Sequence, residues 1–239
     1  MTIGTPTSIG TVTSATGNTA SIVITTSANI DATNLVVVFV HIPSDALITV
    51  SSVSDGTNTY AKAAAIDNGA NFDSEIWYKE GATAVGSGGS ITITLSGTTT
   101  GNNGYGAEAV KVTGIATTSA LDKTATQNAS TASPSVTTAT LSQADEIAFG
   151  TSMQGNGLTT YTEAATFTNL FNVTPGAINR AGDGYKIVAA TTAVTYAPTF
   201  SASRSTQTVL ATFKAAPQTF VSGPKWDSGS FAIEIVSYG

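Results

Sequence analysis

The chain has no cysteine and a single histidine, His41. The first absence excludes disulfides, thiolate metal sites and a cysteine nucleophile. The second excludes zinc sites built on several imidazoles. Charge is sparse as well. Asp, Glu, Lys and Arg make up 10% of the 239 residues, against roughly a quarter in ordinary soluble domains. The nine Lys and Arg are scattered, so no basic stripe exists to neutralise phosphates and nucleic acid is not an expected partner. No polybasic or amphipathic segment points to a membrane surface. The longest apolar run, Leu35 to Val40, is far too short to span a bilayer. Helical periodicity is missing too, because no long stretch places apolar residues at i, i+3, i+4 and i+7. The opening MTIGTPTSIGTV lacks the basic and apolar regions of a signal peptide.

What fills the chain is Thr, Ser, Ala and Gly between Val and Ile, with hydrophobic residues at 41% and a net charge of −6. That composition suits short strands and their turns. Residues 20–26 (ASIVITT) alternate like a half-buried strand, and LVVVFVHI (35–42) reads as a central strand buried on both faces. Further strands are expected at 47–54, 58–65, 74–80, 91–95, 107–113, 135–141, 146–153, 161–168, 184–190, 193–200 and 206–213, with a polar stretch over 117–134. About a dozen short strands separated by Gly, Asn, Asp and Ser predict an antiparallel two-sheet β-sandwich or barrel. NIDATNLVVVFV (29–40) and TLSQADEIAFGT (140–151) echo each other, an echo that a sandwich can generate without duplication. Between two alternating runs stands DGTN (55–58). Asp-Gly here predicts a tight hairpin turn, with glycine taking positive φ and Asp55 capping it, rather than a calcium loop.

In order and spacing, VSDGTNTYAKA (53–63), EIWYKEG (75–81), SITITLSG (90–97), AVKVTGIATTSALDKTATQNAS (109–130) and VLATFKAA (209–216) resemble a loose group of jelly-roll-like β-sandwich domains. These occur in tailed-phage virion proteins and bacterial surface proteins. The resemblance spans roughly residues 20–216 and implies a fold; the group has no shared catalytic site, so it implies no catalytic residue. The expected organisation is an N-terminal arm or edge strand (1–19), a sandwich (20–216) and a C-terminal tail (217–239) with one extra strand.

Candidate chemistry is thin. His41 ends the most apolar strand and no G-x-S-x-G elbow accompanies it, so a hydrogen-bonded strand-end histidine is expected. DNGANFDSE (67–75) offers hard oxygens at Asp67, Asn71, Asp73 and Glu75 for calcium, although the spacing matches no EF-hand. The pairs Glu75 with Glu80 and Asp145 with Glu146 read as surface acids rather than as the two carboxylates of a glycosidase. GNNGYG (101–106) reads as a loop tip. Trp77, Tyr78, Tyr105, Tyr161, Tyr185 and Trp226 are candidate sugar-stacking rings, with the core as their alternative.

The expectation is a non-enzymatic structural protein of a tailed-phage virion without cofactor, a capsid decoration or cement protein that stabilises the head. Its partners would be the major capsid protein or other virion proteins, and its assembly a homo-oligomer, a trimer. The interacting residues would be Trp226, Phe231, Ile233 and Ile235 in the tail, with Ile3 to Thr5 in the N-terminal arm. Its place would be the virion, or alternatively the cell surface. The rival is a glycan- or receptor-binding module of a fibre or adhesin. A glycan depolymerase ranks last, because one histidine and no cysteine leave only carboxylate chemistry.

Overall fold

A computed structural model describes residues 2–14, 17–43, 47–69, 72–99 and 104–217, together with the backbone of four short strands between 219 and 237. The protein is all-β and antiparallel throughout, as the alternating and apolar runs predict. The first half contributes β1 (Thr7–Ser14), β2 (Ser21–Thr25), β3 (Leu35–Pro43), β4 (Val50–Ser54), β5 (Ala61–Asp67), β6 (Phe72–Lys79), β7 (Ser90–Leu95) and β8 (Tyr105–Val112). The second contributes β9 (Leu121–Thr131), β10 (Val136–Thr137), β11 (Glu146–Gln154), β12 (Tyr161–Thr162), β13 (Thr168–Val173), β14 (Arg180–Val188), β15 (Thr195–Tyr196), β16 (Thr199–Phe200) and β17 (Arg204–Lys214). The tail adds β18 (Thr219–Val221), β19 (Lys225–Asp227), β20 (Ser230–Ala232) and β21 (Ile235–Ser237).

Both halves use one topology. The large sheet of the first half runs β1-β8-β3-β6-β5, and that of the second runs β9-β17-β11-β14-β13. Each number in the second order takes the place of its counterpart in the first. The outer sheet β2-β7-β4 is matched by β10-β15 and β16-β12, the partner of β7 being split at Ala197–Pro198. Proline has no N–H to give the ladder. The two echoing segments end in β3 and β11, which are equivalent central strands, so the echo reflects a repeated unit. In each, a non-glycine residue of positive φ, Thr33 (68°) or Asp145 (58°), lies one or two residues ahead of the strand.

The large sheets pack face to face. Leu35, Val37, Phe39, Ile76 and Val110 from one meet Ile147, Phe149, Val209, Ala211 and Phe213 from the other. Phe149 stands at the centre, its ring 6.0 Å from Phe39 and 6.1 Å from Phe213. Every residue of β3 is buried because one face meets the other large sheet and the other meets β2, β7 and β4. The edges meet reciprocally. β5 packs on β9, while β1 meets the residues after β13, where the Gly176 N–H donates to the Ser14 carbonyl. Such a contact and its mirror are the pattern of a two-fold dimer, here within one chain.

Two expectations need correcting, and a third holds. The polar stretch over 117–134 contains β9, an 11-residue edge strand. Ile3 is buried in the central core and the Gly4 N–H donates to the Thr113 carbonyl, so residues 3 to 5 are tied to the body rather than forming an arm. DGTN does make a tight turn, with Gly56 at φ 83° and Asp55 accepting from the Thr57 and Asn58 N–H groups. The antiparallel bridge between Ser54 and Thr59, with the Tyr60 N–H donating to the Val53 carbonyl, closes the expected hairpin, and beyond it the chain passes from the outer sheet (β4) to the large one (β5).

Candidate metal centre

Three titratable side chains meet where the large sheets face each other. Strand alternation points Leu35, Val37, Phe39 and His41 of β3 towards the second half. On β8 the same face carries Val112, Val110 and Glu108, and on β14 Tyr185, Asp183 and Ala181. His41 Nε2 lies 3.2 Å from Asp183 Oδ1 and 3.5 Å from Glu108 Oε2, and all three side chains are fully buried. Both approaches are ion pairs rather than well-aligned hydrogen bonds. Both imidazole nitrogens, both Glu108 oxygens and both Asp183 oxygens are without a hydrogen-bond partner. Ser74, opposite His41 on β6, and Thr151, opposite Asp183 on β11, share this inner face, and their buried hydroxyls are also unpartnered.

Electrostatics couples the group. Burial pulls the His41 imidazole down, but Asp183 and then Glu108 outweigh it and push it up to about 10. Glu108 is raised to about 8, by burial first and then by the charge of Asp183, against the pull of His41. Gly106, opposite His41 on β8, lets Pro175 and Glu108 close in on this side of the site. A Cβ there would stand 3.2 Å from the Pro175 ring and 3.5 Å from Glu108 Oε1. Among the described residues, this is the one group of three ligating side chains that converges.

His41, near the end of β3, is therefore a buried member of an ionic cluster with two carboxylates as its partners. The calcium candidates lie elsewhere. Asp73 and Glu75 point to the opposite face of β6, towards the outer sheet. Glu75 Oε1 accepts from the Val50 N–H (2.9 Å), and Oε2 accepts from Trp77 Nε1 (2.6 Å) and pairs with Lys62 Nζ (2.8 Å). An ammonium thus holds the place of a cation. Burial, then the neighbouring Glu75, pushes Asp73 up to about 10. Asp67 Oδ1 accepts from the Gly69 N–H in the turn, and Asn71 lies outside the described residues.

The paired acids are not uniformly on the surface. Glu75 and Glu146 are fully buried, while Glu80 accepts from the Ser119 and Ala120 N–H groups. The candidate sugar-stacking rings go largely to the core. Trp77 and Tyr161 are buried, and Tyr78 stacks on Phe213 at 5.1 Å. Tyr105 and Tyr185 are partly buried against core clusters. Residues 101–103 of the expected loop tip lie outside the described residues, and Tyr105 and Gly106 already belong to β8.

In the tail, β18 pairs with β21 and β19 with β20, two nested ladders that put Trp226 opposite Phe231 and Val221 opposite Ile235. Among the described residues no ladder joins them to either sandwich. Ile233 lies outside the described residues.

No protein-family model, no curated protein and no solved structure matches this chain.

Proposed function

We propose that the chain is a non-enzymatic structural protein of a tailed-bacteriophage virion, a capsid decoration or cement protein held on the head through its C-terminal hairpin. The observation that carries this reading is the self-contained pairing of β18 with β21 and β19 with β20. Strands paired with one neighbour leave backbone N–H and C=O groups for a strand of another chain, so the hairpin can add to a neighbour's sheet edge. The body supports the same reading. Among the described residues, the one converging set of ligating side chains is closed to solvent, which suits holding a shape rather than turning over a substrate. The acidic net charge keeps free copies apart before assembly. Many weak contacts, repeated over a shell with the major capsid protein, then add up to a stable particle. A trimer would seat such a subunit around a local three-fold axis.

The test is mass spectrometry of particles purified from lysates in which the chain is made, with full-length protein and with a truncation after Ala216. The full-length chain is expected in many copies per particle, and the truncated chain is expected in solution, folded and unbound. Equal incorporation of both, or absence of the full-length chain from particles, would overturn the proposal.

A further inference from the structure

We propose that His41, Glu108 and Asp183 form a structural binding site for one first-row divalent cation of the zinc and manganese class, which clamps the two sandwiches together. The donor set is one imidazole nitrogen with two carboxylate oxygens, the combination such ions take. The spacing from the imidazole to each carboxylate fits as well. Ligand atoms about 2.0–2.2 Å from a shared ion stand about 3–3.6 Å from one another in tetrahedral or octahedral sites. His41 Nε2 stands 3.2 Å and 3.5 Å from the two carboxylates, and the ligand atoms of all three residues lie within 4.8 Å of one another.

The independent observation is the set of unmet polar atoms. A closed core does not ordinarily leave two carboxyl groups and an imidazole without a well-formed hydrogen bond, and here a single imidazole stands against two carboxyl groups. Here all six of their polar side-chain atoms are unmet at zero exposure. A divalent ion would balance two carboxylates and leave the imidazole neutral, its ordinary ligand form. The Ser74 and Thr151 hydroxyls, opposite His41 and Asp183 on the same inner face, lack hydrogen bonds as well.

The placement gives the ion its role. His41 and Glu108 belong to the first large sheet and Asp183 to the second. An ion there ties β3 and β8 to β14, in a chain that has no cysteine to make a covalent tie. The proposed attachment of the tail plays no part in this reasoning.

The test uses the full chain, purified without chelators. Elemental analysis and native mass spectrometry are expected to find one zinc or manganese ion per chain. After stripping with a chelator, the unfolding temperature should fall, and adding zinc or manganese should restore it. Asp183→Asn and Glu108→Gln should each weaken binding of the added ion by more than about 100-fold, since even residues behind the ligands cost 10–100-fold when replaced. Their unfolding temperatures should then no longer respond to the ion. If one variant fails to fold, the other, with the stripped wild-type chain, decides. A wild-type chain that carries no metal and is unmoved by zinc or manganese would overturn the proposal, leaving an imidazolium held between carboxyl groups. Metal retained equally by both variants would overturn it too.

Discussion

The two sandwiches share a strand order and differ in what they bury. In the first half the outer sheet is continuous, β2-β7-β4, and the core under it is aliphatic, with Ile22, Ile24, Ile91, Ile93, Val36 and Val38 at its centre. In the second half the outer layer is broken into two ribbons, and its core is smaller and partly polar. Tyr161 shares a hydrogen bond with the Tyr196 hydroxyl at 2.8 Å and donates to Glu163 at 2.9 Å. Gly150 and Gly182 make room for these rings, since a Cβ at either would run into Tyr196 or Tyr161. The inner faces differ as well. Counting from Leu35 and Ile147, the first inward residues of β3 and β11, the ladders place Met153, Val209 and Ile76 where the first set has His41, Glu108 and Asp183. One topology accepts either interior. The ionic cluster is therefore a property of particular residues and not a requirement of the fold.

Substitutions can break this comparison in order of expected effect. Phe149→Ala removes a ring shared by both halves and should cost about 3–5 kcal/mol. Chemical denaturation should show one cooperative loss, because the central core belongs to neither half alone. Ile93→Ala, in the outer sheet of the first half, should cost about 2–4 kcal/mol. Hydrogen exchange should then speed up in β2, β7 and β4 while β11 and β14 keep their protection. Tyr161→Phe strips the bridging hydroxyl in the second half and should cost about 1–3 kcal/mol, with faster exchange confined to β12, β14 and β16.

The last effect is one of pH. Burial first, then Thr212 pulling down and Asp122 pushing up, leave Glu146 raised from 4.5 to about 7. The fold thus holds this proton more tightly than the unfolded chain does. The stability it contributes is full below about pH 4.5 and is lost as pH rises through about 7. Glu146→Gln should flatten that slope between pH 5 and 8, by roughly 1–3 kcal/mol. Denaturant midpoints at the two pH values provide the measurement.

How much of this was legible depended on whether the signal was local. The strands β2, β3, β6, β7, β11 and β17 were visible because alternation or a continuous apolar run marks them. The DGTN turn was visible because Asp55 and Gly56 make it within a few residues. β9 was hidden in DKTATQNAST, whose small polar residues suit a half-exposed edge strand but carry no apolar period. The two-fold stacking was hidden because its contacts join β5 to β9 and β1 to the end of β13, far apart in the chain. The ionic cluster joins residues 41, 108 and 183. Its one local trace is a charged or titratable residue at an inward position of a buried strand, as in LVVVFVHI, AEAVKV and RAGDGYK. Each alone reads as a strand-end polar residue.

The proposed assembly role is tested most directly by electron cryo-microscopy of particles that carry the chain, resolved to side chains. The account predicts both sandwiches at regular positions on the head, with β18 to β21 added to an edge strand of a neighbouring subunit. Density at a tail or fibre tip, or a hairpin that touches no neighbour, would contradict it.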